Sequence, residues 1–211
     1  SAWPTDRKTK EVPHVLDKSI PYKSLIMRRE PTPLPPEPAL PAGFSLRRYR
    51  PGDEVHWARI ETSVAEFDGE GAARAYFSER FLPRQDLLRE RCCFVCAPDG
   101  LPVATATAWE EAGERLLHWV STAPAFQRRG LARAVVLHAL HSYPPAPQPV
   151  WLGTQTWSHD AILLYDSLGF CLVRSGTHAA AHEPNLFAEG MEILRAVYPP
   201  EVFGRLLARS L

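Results

Sequence analysis

The sequence predicts an α+β fold, with a mixed, mostly antiparallel central sheet and flanking helices. Two helical patterns follow the first predicted strand, and three consecutive strands come after them over residues 93–122. That order favours α+β over a doubly wound parallel sheet. A strand–helix–strand pattern then covers residues 115–156, and such a unit is a right-handed crossover whose two strands pair in parallel.

Composition divides the chain near residue 42. All four lysines lie in the first 23 residues, and nine of the 21 prolines fall between Pro4 and Pro41. Because proline lacks the N–H and biases the preceding residue to extended geometry, the run over 31–41 forms neither helix nor ladder. We therefore predict a Pro-rich N-terminal extension at 1–41, serving as a semi-rigid spacer or as a ligand for an aromatic-groove module, and a compact domain at 42–211.

The overall composition is that of a globular protein, with 45% hydrophobic and 23% charged residues. Lys+Arg and Asp+Glu balance at 24 each, which disfavours a protein that coats nucleic acid or an anionic membrane. The sequence shows no membrane-spanning apolar run and no signal peptide, and four cysteines make no disulfide framework. We expect a soluble, cytoplasmic protein without nucleic-acid or membrane partners.

The first half of the domain alternates helices and strands. Phe44–Tyr49 alternates as a strand does, and Asp53 is a candidate N-cap for a helix that ends near Val64. A second helical pattern covers 71–88 with a break at Pro83, because proline interrupts a helix. Apolar runs separated by turn residues then predict strands at 93–96, 101–109 and 115–122.

The second half begins with a helical period. Apolar residues at 131, 135, 136, 139 and 140 predict a helix over 130–141, and 150–156 predicts a strand. A second helix is predicted from His159 to Leu168, with Ser158 as its cap and Gly169 as its stop. After a candidate strand at 171–175, residues 189–211 look helical, with an interruption at Pro199–Pro200.

The loop between the strand at 115–122 and the next helix predicts an anion-binding site. Unpaired N–H groups at a helix N-terminus point at one spot, where the helix dipole adds partial positive charge. Gly130 lets the backbone approach a ligand closely, and Arg128 and Arg129 supply donors suited to phosphate oxygens. The loop matches neither the Walker pattern nor GxGxxG, which disfavours nucleotide-triphosphatase and dinucleotide sites.

Two segments resemble the GNAT family of acyl-CoA-dependent N-acetyltransferases. Residues 127–132 (QRRGLA) are similar to that family's Gln/Arg-x-x-Gly-x-Gly/Ala motif. Residues 158–170 (SHDAILLYDSLGF) are similar to its Asn-x-x-Ala-Ile-x-Leu-Tyr-x-x-x-Gly-Phe segment. The resemblance extends in order from about residue 43 to 175, and it implies a GNAT-like sheet whose parallel strand pair splays apart.

The resemblance implies acetyl-CoA as the co-substrate. Its pyrophosphate would bind the amides of 128–133, its pantetheine arm would follow the strand edge at Val120 and Thr122, and the thioester would lie near Val120 and Thr154. Ser158 stands where the family has asparagine and would make a shorter contact. The cofactor-binding residues expected are Val120, Thr122, Gln127, Arg128, Arg129, Gly130, Leu131, Ala132, Arg133 and Ser158.

Tyr165 aligns with the family's tyrosine, and the resemblance therefore implies that it is the general acid that protonates the departing thiolate. A phenol has a pKa of about 10, so it is protonated at neutral pH and can donate. The alternative is that Tyr165 only contacts the sulfur or packs as a helix aromatic.

His118 is the candidate general base, because an aliphatic ammonium with a pKa near about 10.4 must lose a proton before it attacks. Strand alternation places it on the face of Val120 and Thr122, and arylalkylamine-type members of the family carry a histidine at the corresponding place. The alternative is a half-buried strand histidine. Glu110 and Glu111 are rival bases, expected in a solvated turn.

The acceptor pocket is less clearly marked. Glu66, Phe67 and Asp68, between the first two helices, fall where the family builds one pocket wall, and the two acids would favour a cationic amine or form a plain solvated turn. The family closes with two strands, whereas only 171–175 looks like one here. The sequence is also compatible with a homodimer.

Cys93 and Cys96 have the spacing of a redox or zinc motif. They lie in a strand pattern and no second pair exists, so we expect core cysteines and no metal site.

The function predicted is N-acetyl transfer from acetyl-CoA to a primary amine of a small molecule or peptide, by direct attack in a ternary complex. One alternative is a catalytically silent acyl-CoA-binding or sensor module. A nucleic-acid-binding helix at 127–141 is disfavoured, because its outward arginines are few.

Overall fold

A computed structural model describes residues 16–178 and 180–211 of the chain. Its strands are β1 (Ser24–Arg29), β2 (Ser45–Arg48), β3 (Cys92–Cys96), β4 (Pro102–Glu111), β5 (Glu114–Thr122), β6 (Val150–Gln155) and β7 (Phe170–Leu172). Its helices are α1 (Glu54–Ser63), α2 (Glu70–Arg80), α3 (Gln85–Arg91), α4 (Leu131–His141), α5 (His159–Ser167), α6 (Phe187–Val197) and α7 (Pro200–Arg209). Short 3₁₀ turns cover 82–84, 124–126 and 156–158.

The strands form one seven-stranded sheet in the order β2-β3-β4-β5-β6-β1-β7. The pairs β2–β3, β3–β4, β1–β6 and β1–β7 are antiparallel. The pair β5–β6 is parallel, with Arg115 opposite Val150 and Leu116 opposite Trp151. The α+β prediction, the parallel crossover and the predicted helices and strands from β2 to α7 are thereby confirmed.

The chain forms two compact units. The described part of the first comprises Pro36–Ala108 and Trp119–Tyr143, and the second comprises Leu16–Pro35, Trp109–His118 and Pro144–Leu211, except residue 179. The first therefore contains α1 to α4, and the second contains α5 to α7.

In the first unit, α1 packs against α2 and α4 packs on β3. Its core is apolar and aromatic, because each helix turns one stripe of large side chains inward. Among the fully buried side chains of this unit are Trp57, Phe77, Phe94, Leu131 and Leu137.

Asp53 precedes α1 but does not cap it through its side chain, contrary to the prediction. Its carboxylate instead accepts from the guanidinium of Arg47, at 2.5 and 2.8 Å, and from the backbone N–H of Arg50 at 2.6 Å. Arg47 on β2 therefore occupies the carboxylate that would otherwise accept from the N–H groups at the start of α1.

A two-residue turn joins β4 to β5. Ala112 and Gly113 both have positive φ, 51° and 79°, the conformation that matches the twist of a tight hairpin. Glu110 and Glu111 were expected in this turn. They lie in β4 and are half-buried, because the strand continues to the turn itself.

In the second unit, β1 pairs with β6 on one side and with β7 on the other. Leu25 and Met27 of β1 are buried in the core of this unit. A part of the predicted extension is therefore a strand of the sheet. Residues 1–15 of that extension lie outside the described residues, and a domain boundary near residue 42 stays a prediction.

The C-terminal part supplies one strand where the resemblance implied two. Only β7 follows α5, and its antiparallel partner is β1, which comes from the start of the described chain. In the described residues between Leu172 and Phe187, no regular element forms. The sheet position next to β7 is thus filled from the N-terminal side.

Candidate active site

The predicted anion-binding loop has an unusual backbone. A 3₁₀ turn at Pro124–Phe126 ends β5, and then Arg128 and Gly130 both take left-handed conformations, with φ of 61° and 78°. The first helical bond of α4 runs from the Ala134 N–H to the Gly130 carbonyl, at 3.1 Å. The amides of Leu131 and Ala132 therefore lie at the helix N-terminus without an acceptor inside the helix.

Gly130 is left-handed, and the space beside its Cα is unoccupied. A Cβ built on it meets no atom within 4 Å. An L side chain would fit sterically but would be strained at this φ, and it would stand where an anion approaches the amides.

The two arginines of the loop behave differently. Arg128 is exposed, and within residues 16–178 and 180–211 its guanidinium has no hydrogen bond or ion pair. Arg129 is exposed too, but its guanidinium contacts the Ala125 carbonyl at 3.4 Å and lies 5.5 Å from the centre of the Phe126 ring. Arg128 is therefore the less constrained of the two guanidinium groups.

The other predicted loop residues contribute mainly structure. Gln127 Nε2 donates to the Thr122 carbonyl at 3.0 Å, which ties the loop back to β5. The Leu131 side chain is buried, while Ala132 and Arg133 are half-buried. Of the predicted strand edge, Val120 is half-buried, and Thr122 is buried with no hydrogen-bond partner for its Oγ1 among the described residues.

β5 carries a left-handed residue in its middle, since Trp119 has φ of 50°. Such a conformation is rare for a bulky side chain and breaks the alternation of a strand. The prediction that His118 shares a face with Val120 and Thr122 assumed regular alternation, which the left-handed Trp119 interrupts, so this placement stays a prediction. The Trp119 ring instead packs 5.3 Å from the ring of Trp57 on α1.

Glu61 is a polar residue that the sequence did not single out. It lies on α1, is 0% exposed, and accepts from Ser121 Oγ at 2.7 Å. Its other oxygen, Oε1, is buried and has no hydrogen-bond partner in the part of the chain that the structure describes. Burial raises the pKa of Glu61 to about 8, although the Ser121 hydrogen bond lowers it, and the nearby charge of Glu66 raises it further. A carboxylate one turn after Trp57, on an otherwise apolar helix face, is the signal that could have revealed it.

The turn between α1 and α2 contains the predicted pocket wall. Phe67 is half-buried, and its ring lies 5.2 Å from that of Trp119. Glu66 donates its N–H to the Glu61 carbonyl at 3.1 Å, and Asp68 is exposed. Phe67 therefore belongs to an aromatic cluster, and a role of the two acids in binding a cationic amine stays a prediction.

The second unit holds both predicted catalytic residues. Tyr165 on α5 is 7% exposed, and its ring meets that of Phe170 edge-on at 6.0 Å. His118 is half-buried on β5. Ser158 does not cap α5 as predicted: its hydroxyl accepts from Gln155 Nε2 at 3.1 Å. The catalytic roles of Tyr165 and His118 stay predictions.

The cysteine pair lies in the core. Cys93 and Cys96 are free and buried on β3, as is Cys92. Burial raises the pKa of Cys92 to about 12 and that of Cys93 even more, so these thiols are protonated at neutral pH. No group of three or more metal-ligating side chains occurs in the described parts of the chain. A search of the same residues found no helix long and apolar enough to cross a bilayer.

Comparison with known proteins identifies the family. The model of the acetyltransferase (GNAT) family matches residues 55–170. The mycothiol acetyltransferase of Actinosynnema mirum is 30% identical over 152 residues, which cover 69% of this chain and 50% of that protein.

Two solved structures share the fold. A GCN5-related N-acetyltransferase from Sphaerobacter thermophilus aligns with a TM-score of 0.59 and 21% identity, over 72% of this chain and 49% of that one. A tandem GNAT protein from the clavulanic acid biosynthesis pathway aligns with a TM-score of 0.51 and 18% identity, over 72% and 50%. The chain thus spans about half the length of these relatives. Because the family model covers more than half of the sequence, the chain belongs to the GNAT acetyltransferase family.

Proposed function

We propose that this protein is an N-acetyltransferase that moves the acetyl group of acetyl-CoA onto a primary amine of a small molecule or peptide. The amine attacks directly, in a ternary complex. Family membership supports acetyl transfer, and the name of the Actinosynnema mirum relative also describes an acetyltransferase.

One observation carries the proposal: the loop from Gln127 to Leu131. Two left-handed residues turn the backbone just before α4, so that helix N-terminal amides, a glycine without a side chain and the exposed guanidinium of Arg128 occur within a few residues. This is the arrangement that binds a phosphate or pyrophosphate through backbone N–H groups. The first unit contains the whole loop and also the strand edge at Val120 and Thr122 that we assign to the pantetheine arm.

The chemistry needs one proton removed and one supplied. As the amine nitrogen forms its bond to the acetyl carbon, the carbon–sulfur bond breaks and the electron pair goes to sulfur. We assign the Tyr165 phenol as the donor to that thiolate, and His118 as the group that takes the proton of the amine. Both side chains belong to the second unit.

Calorimetry with acetyl-CoA tests the loop. We expect Gly130→Asp to weaken binding by about tenfold or more, because a carboxylate replaces the space in which the pyrophosphate meets the amides. Gly100→Asp is the matched control: Gly100 is also exposed, has φ of 86°, and has nothing within 4 Å of a built Cβ. The control variant should bind acetyl-CoA like the wild type.

Release of free thiol with a panel of amines then tests the transfer. Thiol release that depends on an amine supports acetyl transfer. Binding of acetyl-CoA without thiol release from any amine would favour the silent acyl-CoA-binding module. Equal affinity of wild type and Gly130→Asp would remove the proposed pyrophosphate site.

A further inference from the structure

Four aromatic side chains of the first unit form one cluster, called here the ring cluster: Trp57, Phe67, Tyr76 and Trp119. Their ring centres lie between 5.1 and 6.3 Å apart in every pairing. Trp57 is fully buried, whereas the other three rings are half-buried and keep part of their surface in solvent. The cluster therefore has a closed floor and an open side.

A polar pair lies beside this floor. Glu61 is one helical turn after Trp57 on α1, and Ser121 is two residues after Trp119 on β5. α1 and β5 thus make two successive contacts. The ring centres of Trp57 and Trp119 are 5.3 Å apart, and Ser121 Oγ lies 2.7 Å from the carboxyl group of Glu61. The carboxyl group of Glu61 is consequently adjacent to the ring cluster.

Two polar atoms at this place have no partner among the described residues. Glu61 Oε1 and Trp57 Nε1 are both buried, and neither forms a hydrogen bond within residues 16–178 and 180–211. Leaving a buried polar group unpaired is unfavourable, and more so when the group is charged. Such unpaired groups in a native structure require an explanation, and a bound molecule supplies one.

We propose that the ring cluster and the Glu61–Ser121 pair bind the acceptor, and that the acceptor is a primary amine attached to an apolar or aromatic body. The amine donates to Glu61 Oε1, and the body packs on Phe67, Tyr76 and Trp119. Aromatic faces also attract an ammonium group. Calling the bound amine an acceptor rests on the proposed function, but amine binding at this site can be tested without acetyl-CoA.

Phe67 is half-buried and lies in the turn between α1 and α2, where Ala65 is left-handed with φ of 66°. The solvent-exposed side of the ring cluster therefore includes this turn. Above a pH of about 8, where Glu61 is ionised, an anionic acceptor is disfavoured because the carboxylate would repel it.

Calorimetry with three small probes tests the class of ligand. The probes are 2-phenylethylamine, butylamine without the ring, and 2-phenylethanol without the amine, at a pH of about 9, where Glu61 is ionised and the amines keep most of their charge. We expect 2-phenylethylamine to bind, and each of the other probes to bind about tenfold more weakly or less. Equal binding of butylamine would overturn the aromatic body, and no binding of any probe would overturn the proposed site.

Variants test the residues. Glu61→Gln should weaken 2-phenylethylamine about tenfold and leave 2-phenylethanol unchanged, whereas Tyr76→Leu should weaken both. Tyr22→Leu is the control, since Tyr22 is 41% exposed and packs edge-on with Trp157 in the second unit. Unchanged affinity of Glu61→Gln for the amine would overturn the proposal.

The two proposals fail separately. Amine binding in the expected pattern, with no thiol release from acetyl-CoA, would leave this site standing and refute acetyl transfer. Thiol release that Glu61→Gln and Tyr76→Leu do not affect would support acetyl transfer and refute this site.

Discussion

Glu61 and Asp166 are both buried carboxylates on helices, but their surroundings differ. Asp166, 5% exposed on α5, pairs with two arginines of α7, Arg205 at 3.3 Å and Arg209 at 2.8 Å. Glu61, 0% exposed on α1, accepts from the hydroxyl of Ser121, and its other oxygen has no hydrogen-bond partner within residues 16–178 and 180–211. Asp166 is thus compensated by charge and holds two helices together, whereas burial of Glu61 keeps its carboxyl group protonated up to a pH of about 8.

The largest expected effect is on stability at Glu61. Below a pH of about 4.5 the carboxyl is protonated in both states, and between 4.5 and about 8 the unfolded chain loses the proton that the folded chain keeps. The free energy of unfolding therefore falls with rising pH by about 1.4 kcal/mol per unit. Glutamine does not titrate, so Glu61→Gln should gain several kcal/mol over the wild type by a pH of about 8.

Urea unfolding at several pH values measures that difference. The titratable neighbours of Glu61 are Glu66 and the thiol of Cys92, and Gln at 61 leaves both in place. A difference between the two proteins that does not change with pH would mean that Glu61 is ionised in the fold and compensated like Asp166.

Tyr165 precedes Asp166 on α5 and extends the comparison to catalysis. Tyr165→Phe should lower kcat by about 100-fold, or about 2.7 kcal/mol, because the thiolate loses its proton donor. Tyr198→Phe is the control: Tyr198 is a buried tyrosine of the same unit, and its hydroxyl donates to the His159 carbonyl at 2.5 Å. Full turnover of Tyr165→Phe would make this ring a packing residue only.

Close packing in the second unit gives the next effect. A Cβ on Gly190 of α6 would come within 2.7 Å of the buried Leu25 side chain, so Gly190→Ala should cost about 1–3 kcal/mol of unfolding free energy. Gly204 of α7 has nothing within 4 Å, and there alanine should add about 1 kcal/mol. Thermal unfolding of the two variants would contradict this if both shifted in the same direction.

The smallest effect is expected at Asp166. Asp166→Asn should lose about 1 kcal/mol of unfolding free energy, since the side chains of Arg205 and Arg209 are 49% and 41% exposed and can be rehydrated. Glu61→Gln, by contrast, is expected to gain unfolding free energy. A gain for Asp166→Asn as well, measured by urea unfolding, would remove the distinction between the two carboxylates.

Local patterns predicted most of the fold. Period and turn chemistry define α4, β6 and α5 within a residue or two. Each of the two helices has a clear hydrophobic period and is followed by proline or glycine within three residues of its end, and β6 begins directly after Pro149. The sequence also predicts a loop at 127–130, because glycine and arginine directly before a helical pattern are typical of a turn at a helix N-terminus. These features depend on neighbours in sequence.

The rest depends on partners that are distant in sequence. β1 is a short run between charged and proline-rich segments, and only pairing with β6 and β7 makes it a strand. A glutamate on a helix ordinarily faces solvent, and Glu61 is buried because Trp119 and Ser121 of β5 cover that side. Likewise, nothing in the sequence around Trp119 predicts its left-handed backbone conformation.

The pairing of β1 has a consequence for synthesis and truncation. A ribosome releases this strand early and both of its partners late, so the nascent chain carries an unmatched apolar segment until β7 is complete. A protein shortened to begin at residue 42 would lack the strand altogether, leaving β6 and β7 with open edges that are prone to pair with other molecules.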